Sequence, residues 1–433
     1  MQMSLLSILK KLILITLIPF FIGYFSYHNT ALLNIGAYGS LILSIIVLIT
    51  DTNQRKFAKN TVFMNVRRNI FLYGFFMVYL LYLVFSALFL SYDNLYHLPL
   101  DAIYKDIRYP IILFIAVLAV QSALTAKHLL TILLTTFCII ILIIPIQGYF
   151  YPQPNQNFAL FMRYGYMFPI VLLFPFLLAS TLLYKNKVYF LVVTFLSIIT
   201  YVVVIAAGAR GSFLAISVEL FLFLCLLSYF KQITLKKLFL IICSIAILVA
   251  IIVGVMYKNS NLVEGKVWQS LGNQDFTGGR TTLIETRFPI FMKDGSITHG
   301  IGYGNKIYQQ FLEDHKAPKV VGIWGVENGQ PHFSYYRDEP QFLSSFYESG
   351  VIGLILFSLF VLTFLITSLR AFSLQNHAKI IAIAIFLNIV GNTLVLGVVE
   401  HTSVPNLLFF AVILALVNTK LLPNQRRHDD ESN

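Results

Sequence analysis

Apolar residues come in runs of about 20, separated by short polar connections, from one end of the chain almost to the other. As a helix, a run of that length covers a hydrocarbon core of roughly 30 Å. The pattern predicts an all-α polytopic membrane protein with about twelve transmembrane helices. They lie near 12–27, 31–50, 69–91, 110–126, 129–149, 165–183, 188–207, 212–230, 238–257, 350–369, 380–398 and 404–421. One connection breaks the rhythm: residues 258–349 form a single long loop, and a connection of that length is usually functional. The expected organisation is nine spans within 1–257, a large loop with short helices over 258–349, three spans within 350–421, and a polar tail over 422–433.

Composition agrees, at 58% hydrophobic and 12% charged residues, with mean hydropathy +0.78, and excludes an ordinary soluble domain. The first run follows Lys10 and Lys11 and leads into further spans without a small-residue cleavage site, so no cleavable signal peptide is expected. Charge then orients the chain. With the N-terminus in the cytoplasm, the inner connections hold 18 of the 31 basic residues and only Asp51, Asp429, Asp430 and Glu431 as acids. That satisfies the positive-inside rule and puts both termini in the cytoplasm. The net charge of +12 is therefore largely topological, and no nucleic-acid signature accompanies it. Cys138, Cys225 and Cys243 all fall within spans, with no zinc spacing and no disulfide framework.

The candidate chemistry gathers on the outer side. "GARGS" (208–212) sets Arg210 between two spans, where a cation is costly unless it snorkels or meets a ligand. In "FTGGRTTLIETRFPIF" (276–291) a helix is expected to start near Arg280, capped by Thr277 or Gly278, and to kink or end at Pro289. Arg280, Ile284 and Arg287 would share one face. That helix reads either as an anion site or as an amphipathic helix on lipid phosphates. "HGIGYGNKIY" (299–308) has three glycines but no phosphate-loop lysine, and reads as a turn bringing the loop back over the membrane. His332, Arg337, Asp338 and Glu339 cluster before the tenth span, and an imidazole or carboxylate there is suited to a general base. Arg163 opens the sixth span as either a phosphate contact or an interfacial anchor, and Glu400 and His401 read as loop or capping residues. Glu219 lies about 13 Å inside the eighth span, where an acid is functional by default.

In order and spacing, "GARGSFLAI", "GGRTTL", "GIGYGNKIY" and an acidic or histidine site before "FLSSFYESGVIGLILF" resemble the bacterial O-antigen ligase and polymerase superfamily. The resemblance runs from about residue 155 to the C-terminus, and is closer to lipopolysaccharide O-antigen ligases. It implies a membrane-embedded, GT-C-like glycosyltransferase of the inner membrane, independent of metal and cofactor, with its site on the periplasmic face. The donor would be a glycan on undecaprenyl diphosphate and the acceptor a sugar hydroxyl of lipid A-core. Arg210, Arg280, Arg163 and Arg287 would bind the diphosphate, because arginine presents a fork of donors to phosphate oxygens. The base would be His332 or Glu339. The family's histidine-asparagine pair falls on Glu339 and Pro340 here, while His332, in a Pro331-His332 pair, stands seven residues before Glu339. A polymerase extending lipid-linked repeats is the alternative, and a lipid-glycan transporter a further one.

Overall fold

The computed structural model describes residues 5–25, 30–120, 124–150, 167–184, 186–207, 209–234, 280–294, 296–317, 319–327, 330–334, 340–399 and 404–418, with scattered positions between 236 and 254. The described elements are α1 (Leu5–Phe25), α2 (Thr30–Thr50), α3 (Thr52–Arg68), α4 (Ile70–Phe89), α5 (His97–Val120), α6 (Ala126–Phe150), α7 (Met167–Ser180), α8 (Lys187–Ala206) and α9 (Arg210–Tyr229). Then come α10 (Arg280–Asp294), α11 (Asn305–Asp314), strands β1 (Val320–Glu327) and β2 (Gln330–Ser334), α12 (Gln341–Arg370), α13 (Asn376–Asn388), a π-helical continuation (Ile389–Leu396) and α14 (Val404–Asn418).

Seven of these helices are long and apolar enough to cross a membrane: α1, α2, α4, α8, α9, α12, and α13 with its continuation. Shorter apolar stretches occupy α6, α7 and α14. The chain is a helical membrane protein. Every expected span except the ninth, 238–257, overlaps a described helix, and the ninth lies almost wholly outside the described residues. Two boundaries differ from expectation. α5 begins at His97, well before residue 110, because Asp101, Lys105, Asp106 and Arg108 hide its first turns from hydropathy. α12 begins at Gln341 and bends at Gly350, so the expected boundary of the tenth span falls on the kink (φ 63°).

Aromatic packing fills the centre. Tyr24 of α1 stacks on Phe409 of α14 at 4.2 Å, and Phe410 stacks on Phe25 and on Phe176 of α7. α4 runs antiparallel to α12, through Phe76–Phe360 and Tyr79–Phe357, with the Tyr82 hydroxyl donating to the Ser349 carbonyl at 2.7 Å.

The two ends of this bundle are built differently. One end is closed by α3, a polar helix capped by Asp51, whose carboxylate accepts from Gln54 N (2.9 Å) and from Lys10 Nζ (3.1 Å). Gln54 Nε2 donates to the Leu118 carbonyl of α5, and Asn65 and Asn69 reach Ala415 of α14. These amides bind three helices without burying charge. The other end carries α10, α11 and the β1–β2 hairpin. The hairpin was not expected in a loop of short helices, yet "VVGIWGVE" is rich in β-branched residues. The sequence between paired Glu327 and Gln330 is Asn-Gly, the dipeptide two-residue hairpins favour.

Gly350→Ala tests the kink. A Cβ there would overlap the Thr298 backbone, at a φ that only glycine tolerates with ease. We expect a loss on the order of 3 kcal/mol or more, read as a lower melting temperature in detergent. Gly74→Ala, where a Cβ meets nothing within 4 Å, should be neutral. Equal melting of the two variants would contradict the account.

Candidate functional site

At the loop end the glycine turn and the kink of α12 form one hydrogen-bonded unit. Ile301 N donates to Tyr347 O (3.0 Å), Gly302 N to Glu348 O (2.9 Å), and Val351 N to Ile297 O (2.9 Å). The buried Glu348 carboxylate accepts from Gly304 N at 2.7 Å, and the Ile301 carbonyl accepts from Tyr92 N. The two backbones approach so closely that a Cβ at Gly300 would overlap the Glu348 carbonyl carbon. Tyr303, in the middle of the turn, donates its hydroxyl to Asp106 Oδ2 of α5 at 2.5 Å. Burial first, then the Asp106 carboxylate, holds the Tyr303 phenol well above its ordinary range, so it stays a donor. The turn expected from sequence is therefore present, and it is locked from three sides.

An aromatic stack joins α10 to this unit. Phe291 lies on Tyr347 at 3.9 Å and 7°, and also on Phe311 and Tyr308 of α11. Beside the stack, fully buried Arg287 donates Nη1 to the Tyr308 hydroxyl at 2.7 Å. Arg287 was expected on one face with Arg280 as a second diphosphate contact. Instead its guanidinium is interior and holds α10 to α11. Pro289, expected to kink or end the helix, sits inside it, and α10 continues to Asp294.

α10 is described from Arg280 on, and Arg210 is the first residue of α9. The chain path puts both at the loop end. The far end of α9 is marked by Phe230, which meets Phe372 just past the end of α12 and Lys379 in the first turn of α13. Arg210 opens α9 at the opposite end, the one that carries the turn. His332 lies on β2, while Glu339, Arg163, Glu400 and His401 lie outside the described residues. Among the described residues no group of three or more His, Cys, Asp or Glu side chains is arranged to hold a metal ion.

Asp106, Glu348 and Tyr303 were not singled out by sequence reading. Tyr303 and Glu348 stand within motifs whose glycines drew attention instead. Asp106 has no local signal, since its partner is 197 positions away.

No protein-family model matches this chain, and neither does any curated protein sequence.

Tyr308→Phe removes the acceptor of a buried cation and should cost about 1.5–3 kcal/mol, seen as a lower melting temperature. Lys293→Ala, at an exposed position of the same helix, should change it little. If Tyr308→Phe melted like the wild type, the Arg287–Tyr308 bond would not be what seats α10.

Proposed function

We propose that this protein is an O-antigen ligase. It transfers a glycan from undecaprenyl diphosphate to a sugar hydroxyl of lipid A-core, at the periplasmic face of the bacterial inner membrane, with about twelve spans and both termini cytoplasmic. The observation that carries the reading is that Arg210 opens α9, and that α10, described from Arg280 on, is seated at the end of the bundle where the glycine turn is anchored. A helix N-terminus offers unpaired N–H groups and positive potential to an anion, and arginine adds a planar fork of donors. Two such arginines, brought from distant parts of the chain, suit a diphosphate.

The reaction breaks the bond between the anomeric carbon and the diphosphate oxygen and forms a bond from that carbon to the acceptor oxygen. The proton of the acceptor hydroxyl passes to His332 or Glu339, the two candidates for the base. The negative charge that grows on the departing undecaprenyl diphosphate is stabilised by Arg210 and Arg280, with Arg163 a further candidate contact. Arg287 acts through α10, fixing where Arg280 stands.

A second reading has its own support. Glu219 is fully buried in α9, and neither of its carboxylate oxygens has a hydrogen-bond partner among the described residues. It lies against Gly391 of the π-helical segment, where a Cβ would overlap its Cγ. An acid at mid-membrane beside an irregular helix is a feature of transporters.

Purified protein supplied with undecaprenyl-diphosphate-linked glycan, with and without lipid A-core, separates the readings. Glycan on the core is the expected result. Longer lipid-linked chains formed without the core would establish a polymerase instead. Neither product, in a preparation that moves the lipid-linked glycan across vesicles, would favour the transporter. In the transfer assay Arg210→Ala and Arg280→Ala should each lose activity by at least about 100-fold, the scale of one oxyanion-type contact, at unchanged abundance. Arg210→Lys should rescue poorly, and full activity in Arg210→Ala would remove the clamp. Comparing His332→Ala with Glu339→Gln assigns the base, and wild-type rates in both would remove general-base catalysis. Activity should survive a chelator.

A further inference from the structure

We propose that Glu219 and Asn392 form a binding site for one monovalent cation, sodium, enclosed between α9 and the π-helical segment inside the bundle. This inference rests on neither the transfer reading nor the transporter reading.

Two crossing helices fix the placement. α9, and α13 with its continuation, are both long and apolar enough to span a membrane. Glu219 stands nine residues past Arg210, and Gly391 eight residues before Val399, so both lie roughly 12–13 Å in from the loop end. Outside its own helix the π-helical segment packs chiefly against α9. The approach is closest at Gly391, whose missing side chain gives the Glu219 carboxyl its room: a Cβ there would overlap Cγ, Cδ and Oε1 of Glu219. Asn392 follows directly and is buried with it.

The chemistry of this layer is one-sided. Both Glu219 carboxylate oxygens and Asn392 Oδ1 are buried acceptors without a hydrogen-bond partner among the described residues. The Glu219 charge acts on the Tyr201 hydroxyl of α8. That hydroxyl, however, directs its proton to the Ile216 carbonyl and Ser217 Oγ, each 3.4 Å away. Asn388 gives its amide to the Leu172 carbonyl of α7. No described donor is therefore aimed at the three oxygens, and a carboxylate enclosed in that way is strongly unfavourable unless something positive meets it.

A set made only of oxygens suits a hard cation, which carboxylate and amide oxygens bind. Charge sets its valence, because one buried carboxylate balances one positive charge. Divalent ions draw on more acids, and among the described residues no three His, Cys, Asp or Glu side chains are grouped to hold one. A proton would meet only part of the need, since it gives one donor to three acceptors. The crowding at Gly391 favours a small ion, which selects sodium over potassium. Bound there, it joins α9, which begins at Arg210, to a segment whose start is tied to α7.

The test is the melting temperature of the full-length protein in detergent, in sodium, potassium or choline chloride at equal ionic strength. Wild type should melt on the order of 5 °C higher in saturating sodium than in choline, with a smaller shift in potassium. Glu219→Gln, which keeps the shape and removes the charge, should lose the sodium shift, and Asn392→Ala should weaken it. Equal melting of wild type in sodium and choline would overturn the proposal, as would an unchanged sodium shift in Glu219→Gln or a potassium shift as large as that of sodium. A shift that acid reproduces in choline, with no further gain from sodium, would make this a proton site and overturn it too. Should the variants not fold, binding of radioactive sodium to the wild type is measured by equilibrium dialysis. Saturable binding that unlabelled sodium displaces and choline does not is expected, and its absence would sink the idea.

Discussion

The loop end of this protein depends on a short stretch of backbone pairing between two glycine-bearing segments. Residues 297–302 and 347–351 exchange hydrogen bonds at distances that admit no side chain, and Gly300 and Gly350 both take positive φ to allow it. Each bond contributes only about 1 kcal/mol net. Their structural consequence is larger than that sum. They bend α12 where it enters the bundle, and they hold the turn down where Tyr303 reaches Asp106. They also present the face of Tyr347 on which α10 is stacked. A long connection between membrane helices is thereby given a fixed seat.

From that seat the positions of the arginines follow. Arg287 and Phe291 are the inward residues of α10, engaged with Tyr308 and Tyr347, so the helix cannot turn about its axis without opening a buried aromatic stack. With the helix axis and rotation fixed, Arg280 is fixed as well. This is a division of labour between two arginines that look alike in sequence. The buried one, Arg287, is a structural bond made at the cost of its solvation. Conversely, the α3 end uses the neutral amides of Gln54, Asn65 and Asn69 to join α3, α5 and α14.

Much of the architecture was legible because membrane spans are written in a long, redundant code. Loss of one residue from a 20-residue apolar run does not hide it, so α1, α2, α4, α8, α9 and α13 stand close to where hydropathy puts them. α5 was cut short for the opposite reason: four charges lie in its first half, and hydropathy cannot tell a polar helix face from a loop. The β1–β2 hairpin was missed because four β-branched residues in an eight-residue strand have no contrast inside a chain this apolar. For the site, the glycines of the turn were visible and their partner was not. Periodicity reports neighbours three or four positions away, whereas Gly304 and Glu348 are separated by 44. Arg287 shows the same limit, since spacing places it on a face but does not say which face is inside.

Glu219 and α5 show two ways in which the fold accommodates polar groups on its helices. Glu219 sits at the middle of α9 with Gly391 pressed against it, and only a residue without a side chain leaves room for the carboxyl group. The helix carrying Gly391 is π-wound over Ile389–Leu396, and the wider winding places Gly391 and Asn392 on consecutive inward positions, both buried. Asn388, one turn earlier, donates to the Leu172 carbonyl of α7 and ties the start of the segment in place. A buried acid therefore stands at an irregular helix whose start is pinned. On α5 Asp101 and Lys105 turn outward as an exposed ion pair, while Asp106 faces the glycine turn and bonds Tyr303. In both cases the polar residue lies where regular packing has been given up on one side of a helix. Burying the Glu219 carboxyl inside a membrane helix is costly, so stability of the bundle is not what keeps it there.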